Sequence, residues 1–293
     1  MKDIRLTTFI TLSNLKSFTK TAQVLNMTQP AISQHIKHLE DIYGVKLIER
    51  NGKNLNLTEQ GKILLKYAKR IEFEYRELED TIKNKNLLNQ TYKLGASMTI
   101  GGYVLPYILG EYKKIHKNID ILLEVKNTEE ILANLLNGDL DFAFIEGPFD
   151  KNIFKHNKYK YDELVLALSP LNNLSNKSQV TIEDIIKGNL ILRERGSGTR
   201  VIFENILNDR GYNMENIKKY MEIGSISAIK ALVELNLGYT VISRETIKKE
   251  LNLGTIIEVP IKNIKIFREF NFVYLKEKDF INNFIEFSLN IPK

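Results

Sequence analysis

The sequence predicts a multidomain chain: an N-terminal all-α winged helix-turn-helix, a long linker helix, then an α/β domain of two lobes. Three observations carry this. Residues 17–57 hold two short amphipathic helical patterns, joined by a few turn residues and followed by an Asn-Gly hairpin signal. Residues 64–82 repeat apolar side chains at alternating steps of four and three. From Tyr92 onward, strand-like and helix-like patterns alternate.

The totals bound the answer. The chain of 293 residues accommodates two or three domains. It has no Cys, which excludes disulfides and thiolate metal sites. No apolar run is long enough to span a bilayer, and MKDIRLTTFITLSNLKSFTK lacks the apolar core and cleavage site of a secretory signal, so a cytoplasmic, membrane-free protein is expected. Positive charge is concentrated at one end: residues 1–70 carry 12 Lys and Arg against 5 Asp and Glu, although the whole chain is only +6. A phosphate backbone favours such a segment, because each neutralised phosphate releases counterions. An ordinary basic surface would look the same, so the motif has to decide.

Ile4, Phe9, Ile10 and Leu12 mark a short first helix. A second runs from about Ser17 to Leu25, capped by Ser17 or Asn14, with Phe18, Ala22 and Leu25 on one face. Asn26 suits the left-handed backbone that ends a helix. Thr28 is then an N-cap, and Pro30 is tolerated in the first turn of a third helix. Ile32, Ile36, Leu39 and Tyr43 form its buried stripe. Gln29, Ser33 and Lys37 line another face, with Thr28, Pro30 and Gln34 beside them. Gln pairs well with adenine, Ser with either partner, and Lys with guanine or phosphate. A solvated helix face has the same composition; the compact turn and basic surroundings favour DNA.

Asn51-Gly52 accepts positive φ at both residues, and Leu55 and Leu57 alternate with Asn54 and Asn56. This makes a two-stranded wing, with Arg50 and Lys53 near its tip for phosphate or minor-groove contact. Arg50 has an alternative as an ion-pair partner of Glu49 or Glu40. On Phe18, Ala22, Leu25, Thr28, Gln29, Pro30, Ala31, Ser33, Ile36, Leu39, Glu40, Leu47, Arg50, Leu57, Thr58 and Gly61, the stretch resembles the winged helix-turn-helix of LysR-type transcriptional regulators. Thr21 stands where that family commonly has Ala. The resemblance implies a transcriptional regulator that binds promoter DNA as a homodimer or homotetramer, with RNA polymerase as a further candidate partner and no cofactor.

Thr58 caps a helix reaching about Leu88. Leu64, Ala68, Ile71, Tyr75, Leu78 and Ile82 make a narrow heptad seam on it, with charged residues elsewhere. Such a seam suits a second copy of itself, and the resemblance implies the same dimerising role; lying on its own domain is the alternative. Residues 84–91 break the pattern as a hinge. The expected domains are residues 1–58, the linker 59–89, and an effector-binding domain 90–293, with lobe I at 90–161 and 265–293 and lobe II at 162–264. The expected strands are KLGAS, 119–125, 141–147, 189–194, 221–225, 239–243 and FNFVYLK. Helices are expected over 101–116, 128–137, after Gly198, 226–236 and 278–289. This part resembles the periplasmic-binding-protein-like effector domain of the same family.

In open α/β sheets, ligands sit beyond the carboxyl ends of strands. Three segments qualify: Ser97, Met98, Thr99 and Ile100; Ser197, Gly198 and Thr199 within LRERGSGTR; and Gly224-Ser225. Each offers hydroxyls and free N–H groups, which suit an anion. Simple N-capping is the alternative for each. LRERGSGTR resembles the sulfur-assimilation and carbon-fixation regulators, which implies a small, anionic effector, with Arg193, Arg195 and Arg200 as candidate charges. Glu146 and Gly147 end a strand facing the same cleft; partnering a helix end or an arginine is the better reading for Glu146. No catalytic residue or metal ligand is assigned. GSGT lacks the Lys-Ser/Thr of a phosphate loop, Ser197 lacks a hydrolase elbow, and of His35, His38, His116 and His156 the first two lie at i and i+3 on the third helix with no third ligand nearby. A cytoplasmic solute-binding protein or an enzyme on the same fold is the rival class.

Overall fold

The computed structural model describes residues 3–51, 54–83, 90–212 and 221–291. The chain forms two compact units, one of Met1–Leu88 with Leu136–Asp139, the other of Asn89–Leu135 with Leu140–Lys293.

In the first unit, helix α1 (Ile4–Leu15) ends at Lys16, whose φ is 49°. Helix α2 (Phe18–Val24) is capped by Ser17, which accepts the Lys20 N–H. Asn26 takes φ 52°, turning the chain into α3 (Gln29–Tyr43), capped by Thr28 and stopped by Gly44 at φ 65°. Phe9, Leu12, Ala22, Ile32, Ile36, Leu39, Leu47 and Leu55 form one core, with Phe18 and Leu25 packed at its edge. Tyr43, expected in the buried stripe, lies outside this core at 53% exposed, as does Ile4 of the first helix at 51%. Both sit in terminal turns, where the helix extends past the elements it packs on. Thr21 is fully buried and returns its hydroxyl to the Ser17 carbonyl, so the extra polar atom is satisfied.

Strands β1 (Ile48–Asn51) and β2 (Asn54–Leu57) pair antiparallel with Asn51 opposite Asn54, leaving a two-residue connection that lies outside the described residues. Glu40 accepts the Leu47 N–H and pairs with Lys46 at 2.6 Å, so its carboxylate is already engaged where the chain enters the wing. Helix α4 (Glu59–Lys83) begins where Thr58 accepts the Gly61 N–H. A Cβ on Gly61 would stand 2.0 Å from the Leu47 carbonyl oxygen, so only glycine lets the helix approach there. At 1.5 Å per residue, α4 is about 37 Å long.

The second unit is built on one seven-stranded sheet. Strands β3 (Gln90–Ser97), β4 (Ile119–Lys126) and β5 (Phe142–Glu146) pair in parallel. Their helices are α5 (Met98–Tyr103), α6 (Leu105–Ile115) and α7 (Thr128–Leu136). The single helix expected over 101–116 is therefore two. It starts three residues earlier and divides at Val104, because Pro106 has no N–H for a continuous ladder.

Strand β6 (Lys155–Leu168) runs through both lobes. In the second lobe come α8 (Ile182–Lys187), β7 (Ile191–Arg193), α9 (Gly198–Asp209), β8 (Met221–Ile223), α10 (Ile226–Glu234), β9 (Thr240–Ser243), α11 (Arg244–Leu253) and β10 (Ile257–Val259). Strand β11 (Ile266–Tyr274) returns beside β6, and α12 (Asp279–Asn290) closes the first lobe. The N-terminal part of β6 pairs with Phe270–Tyr274, while Leu164–Leu168 pairs with β9 and β10. The chain thus crosses between lobes inside two hydrogen-bonded strands. β6, α8, α11 and β10 add to the expected elements. α5 serves both lobes: Ile100 is buried in the first core, while Met98 and Tyr103 pack on a second-lobe core around Ile226, Ile229 and Ile247.

Candidate functional site

Helix α3 is amphipathic along its length, so Ile32, Ile36 and Leu39 hold it to the core and leave its other side in solvent. Thr28, Gln29, Pro30, Gln34 and Lys37 are exposed and Ser33 half-buried; Gln29 Nε2 donates to Ser33 Oγ at 3.3 Å. His35 faces elsewhere. Its Nδ1 lies 2.9 Å from Thr8 Oγ1, tying α3 to α1, so it is a packing residue and only His38 is exposed. Arg50 lies opposite Leu55 in the wing ladder. Lys53 lies outside the described residues.

On α4 the heptad members divide. Leu64 packs on the N-terminal core and Ala68 is fully buried. Ile71, Leu78 and Ile82 are 53%, 52% and 67% exposed, and Tyr67 stands beside them at 55%. Tyr67, Arg70, Ile71, Glu74, Tyr75 and Leu78 line one open groove. Among the described residues, the seam is exposed at Ile71, Leu78 and Ile82, while its first turns pack inside the chain.

In the second unit, two strand ends and two helix starts converge on Arg268 of β11. Its Nε donates to Asp162 at 2.7 Å, Nη1 to Thr199 at 2.9 Å and Nη2 to Thr99 at 3.5 Å. Nη1 also lies 3.6 Å from a Glu146 carboxylate oxygen. Thr99 belongs to the first lobe and Thr199 to the second, so one guanidinium joins both. Ser97 donates to the other Glu146 oxygen, and Ser243 donates to Asp162 at 2.8 Å. All of these side chains are buried. Gly147 adopts φ +102° against Gly198, bringing the end of β5 onto the start of α9. Ser197 precedes α9 without capping it through its side chain, and its buried Oγ has no hydrogen-bond partner among the described residues.

Of the residues expected at the cleft, Ser97, Thr99, Glu146, Gly147, Ser197, Gly198 and Thr199 are brought together. Met98 is half-buried at its edge. Ile100 is fully buried in the first-lobe core, since it lies on the inner face of α5. Ser225 is exposed and caps α10 by accepting the Ala228 N–H. Two arginines of LRERGSGTR are held in ion pairs, although Arg193 Nη1 is buried without a hydrogen-bond partner among the described residues. Arg193 pairs with Glu194, Arg200 with Glu204 and Glu222, and Arg195 is exposed. Burial works against the charge on Arg200, but its two glutamate partners more than offset this and hold its pKa above the usual arginine value. The cation in the cleft is Arg268, which the sequence reading passed over together with Asp162. One signal was present: Ile266, Arg268 and Phe270 alternate in a strand, placing Arg268 on its buried face. Among the described residues, no His, Asp or Glu side chains cluster as metal ligands, and no helix is long and apolar enough to cross a membrane.

Comparison with known proteins follows the same division. Residues 5–62 match the bacterial regulatory helix-turn-helix protein, lysR family, and residues 85–290 match the LysR substrate binding domain. The chain belongs to the LysR family of transcriptional regulators. This LysR regulator is 36% identical over 259 residues to the probable RuBisCO transcriptional regulator of Cyanidium caldarium, covering 86% of this chain and 81% of that protein. Its fold is shared with a full-length OxyR variant from Pseudomonas aeruginosa, with a TM-score of 0.72 at 20% identity over 97% of this chain and 93% of that one. The CcmR regulatory domain of Synechocystis PCC6803, in complex with 2-PG, aligns with a TM-score of 0.62 at 23% identity, covering 68% of this chain and 95% of that domain.

Proposed function

We propose that this LysR regulator reads promoter DNA with α3 and the wing, pairs with a second copy through α4, and adjusts DNA binding when a small anionic effector enters the cleft around Arg268. Gln29, Ser33, Gln34 and Lys37, with Thr28 and Pro30 at the helix start, face the major groove; Arg50 and Lys53 contact the backbone or the adjacent minor groove. The exposed Ile71, Leu78 and Ile82 on α4 support pairing, and twofold symmetry then calls for a partly palindromic site. A homodimer, or a homotetramer built from two such dimers, RNA polymerase as a candidate partner, a cytoplasmic location and the absence of catalysis complete the reading. The working domains are 1–58, 59–89 and 90–293.

The observation that carries the cleft assignment is the buried, unpartnered Ser197 hydroxyl beside Thr199, whose own hydroxyl is held by Arg268. A buried polar atom costs free energy unless something satisfies it. At a helix start that something is an acceptor, and an anion fits best. An effector there touches both lobes and so favours one arrangement of them, which is the condition for regulating a distant site. CcmR, of the same fold, is described in complex with 2-PG; 2-PG is therefore the first compound to test on this chain.

The test has two arms. Full-length protein is used to select from a pool of random duplexes, and a partly palindromic consensus is expected. Binding to that duplex is then measured with 2-PG and a panel of small carboxylates and phosphates. Recovery of no consensus, or an affinity that no compound changes, contradicts the proposal.

A further inference from the structure

We infer that Glu146 sets the class of effector: it turns away bare inorganic oxyanions and selects a small anion that also carries a hydroxyl. This rests on the reading of the cleft as the effector site. One wall is made of donors. α9 has 12 residues, and its first N–H groups have no acceptor within the helix. Its Ser197 hydroxyl is buried and uncommitted. The facing wall carries Glu146, whose backbone oxygen accepts the Thr128 hydroxyl at 2.8 Å. A Cβ on Gly198 would stand 2.4 Å from the Glu146 backbone oxygen, so the end of β5 lies directly against the start of α9. The Glu146 side chain adds a carboxylate to that wall.

Arg268 does not cancel this carboxylate. Its shortest hydrogen bond, 2.7 Å, goes to Asp162, and it stands 3.6 Å from Glu146, so one guanidinium serves two carboxyl groups. The Ser97 hydroxyl supplies one hydrogen bond to Glu146. A carboxylate accepts about four. A sulfate ion offers only acceptors: it suits α9 but opposes Glu146. A hydroxylated carboxylate or phosphate offers acceptors to α9 and an O–H to Glu146, satisfying both walls.

The experiment uses full-length protein and calorimetric titration. Sulfate is titrated into wild type, Glu146→Gln, and Glu146→Gln combined with Ser197→Ala. D-glycerate and propionate, carboxylates with and without hydroxyls, are titrated into wild type, which needs no variant to fold. Sulfate is expected to bind Glu146→Gln at least tenfold more tightly than wild type, with the gain lost on adding Ser197→Ala. Glycerate is expected to bind wild type at least tenfold more tightly than propionate. Glu146→Ala, expected to behave like Glu146→Gln toward sulfate, replaces it if the amide variant does not fold. Equal sulfate affinity with and without the carboxylate, or equal affinity for glycerate and propionate, overturns the role of Glu146 and leaves the cleft reading standing. A sulfate gain that survives Ser197→Ala places the ion elsewhere and overturns both.

Discussion

Gly147 and Gly198 meet backbone to backbone: a Cβ on Gly147 would stand 2.7 Å from the Gly198 Cα. No side chain is available there to move aside, so the closeness of β5 and α9 depends on both residues lacking one. Gly198→Ala puts its methyl 2.4 Å from the Glu146 oxygen and forces the two elements apart. A loss of about 1–3 kcal/mol in urea unfolding is expected. Gly102→Ala is the control: its Cβ would meet nothing within 4 Å, and on α5 it should be neutral or slightly stabilising. Equal behaviour of the two variants would contradict the close approach.

The outward face of α3 is expected to separate specificity from affinity. Gln29→Ala and Ser33→Ala should each relax base preference in a selection experiment, at about 1–3 kcal/mol for a lost bidentate contact and less for a single one. Lys53→Ala should weaken binding evenly across sequences and reduce the slope of affinity against salt by about one. Competition titrations on matched and mismatched duplexes at several salt concentrations check both.

The exposed part of the α4 seam gives a prediction about assembly. Ile71→Glu with Leu78→Glu places charge at two apolar positions of the groove lined by Tyr67, Ile71, Tyr75 and Leu78 with Arg70 and Glu74. The double variant should run as a monomer in light scattering after size exclusion, and lose cooperative binding to a two-half-site duplex while keeping its helical circular dichroism. An unchanged oligomer would assign pairing to another surface.

Alkaline stability provides a check on lobe II. Burial pushes the Tyr239 hydroxyl up to about 12, and it donates to the carbonyls of Asp184 and Ile185 at 3.0 and 2.9 Å. An ordinary tyrosine titrates near about 10. Because the folded pKa is the higher one, this contribution is present in full below pH 10 and is lost as pH rises from 10 to 12. Tyr239→Phe should be less stable at neutral pH by about 1 kcal/mol and show a shallower alkaline loss. Some loss persists, since burial also raises Tyr112 to about 12. Urea midpoints measured between pH 8 and 11.5 test the slope.

Much of the first unit was legible because its determinants are local. Ser17 and Thr28 cap the helices they precede, Asn26 takes the left-handed turn, and Ile32, Ile36 and Leu39 follow one face of one helix. Tyr43 obeys the same period yet is exposed, because spacing says which face a residue is on and not where the neighbouring element ends. The cleft was legible from its hydroxyls, since Ser and Thr at strand ends stand out locally. Arg268 did not stand out: it is 69 residues from Thr199 and 169 from Thr99, and only the pairing of β6 with β11 brings Asp162 to it. Ser225 shows the converse, a hydroxyl in the right sequence context whose local structure is an ordinary cap.

The most direct test of effector control through this cleft is Ser197→Ala, because the hydroxyl it removes has no partner among the described residues and its loss should cost the fold little. DNA affinity of the full-length wild type and variant would be measured on the selected duplex, with and without a compound that changes wild-type binding. Ser197→Ala should bind the duplex like wild type and lose at least tenfold in sensitivity to the compound. An unchanged response in the variant would contradict an effector site at the start of α9.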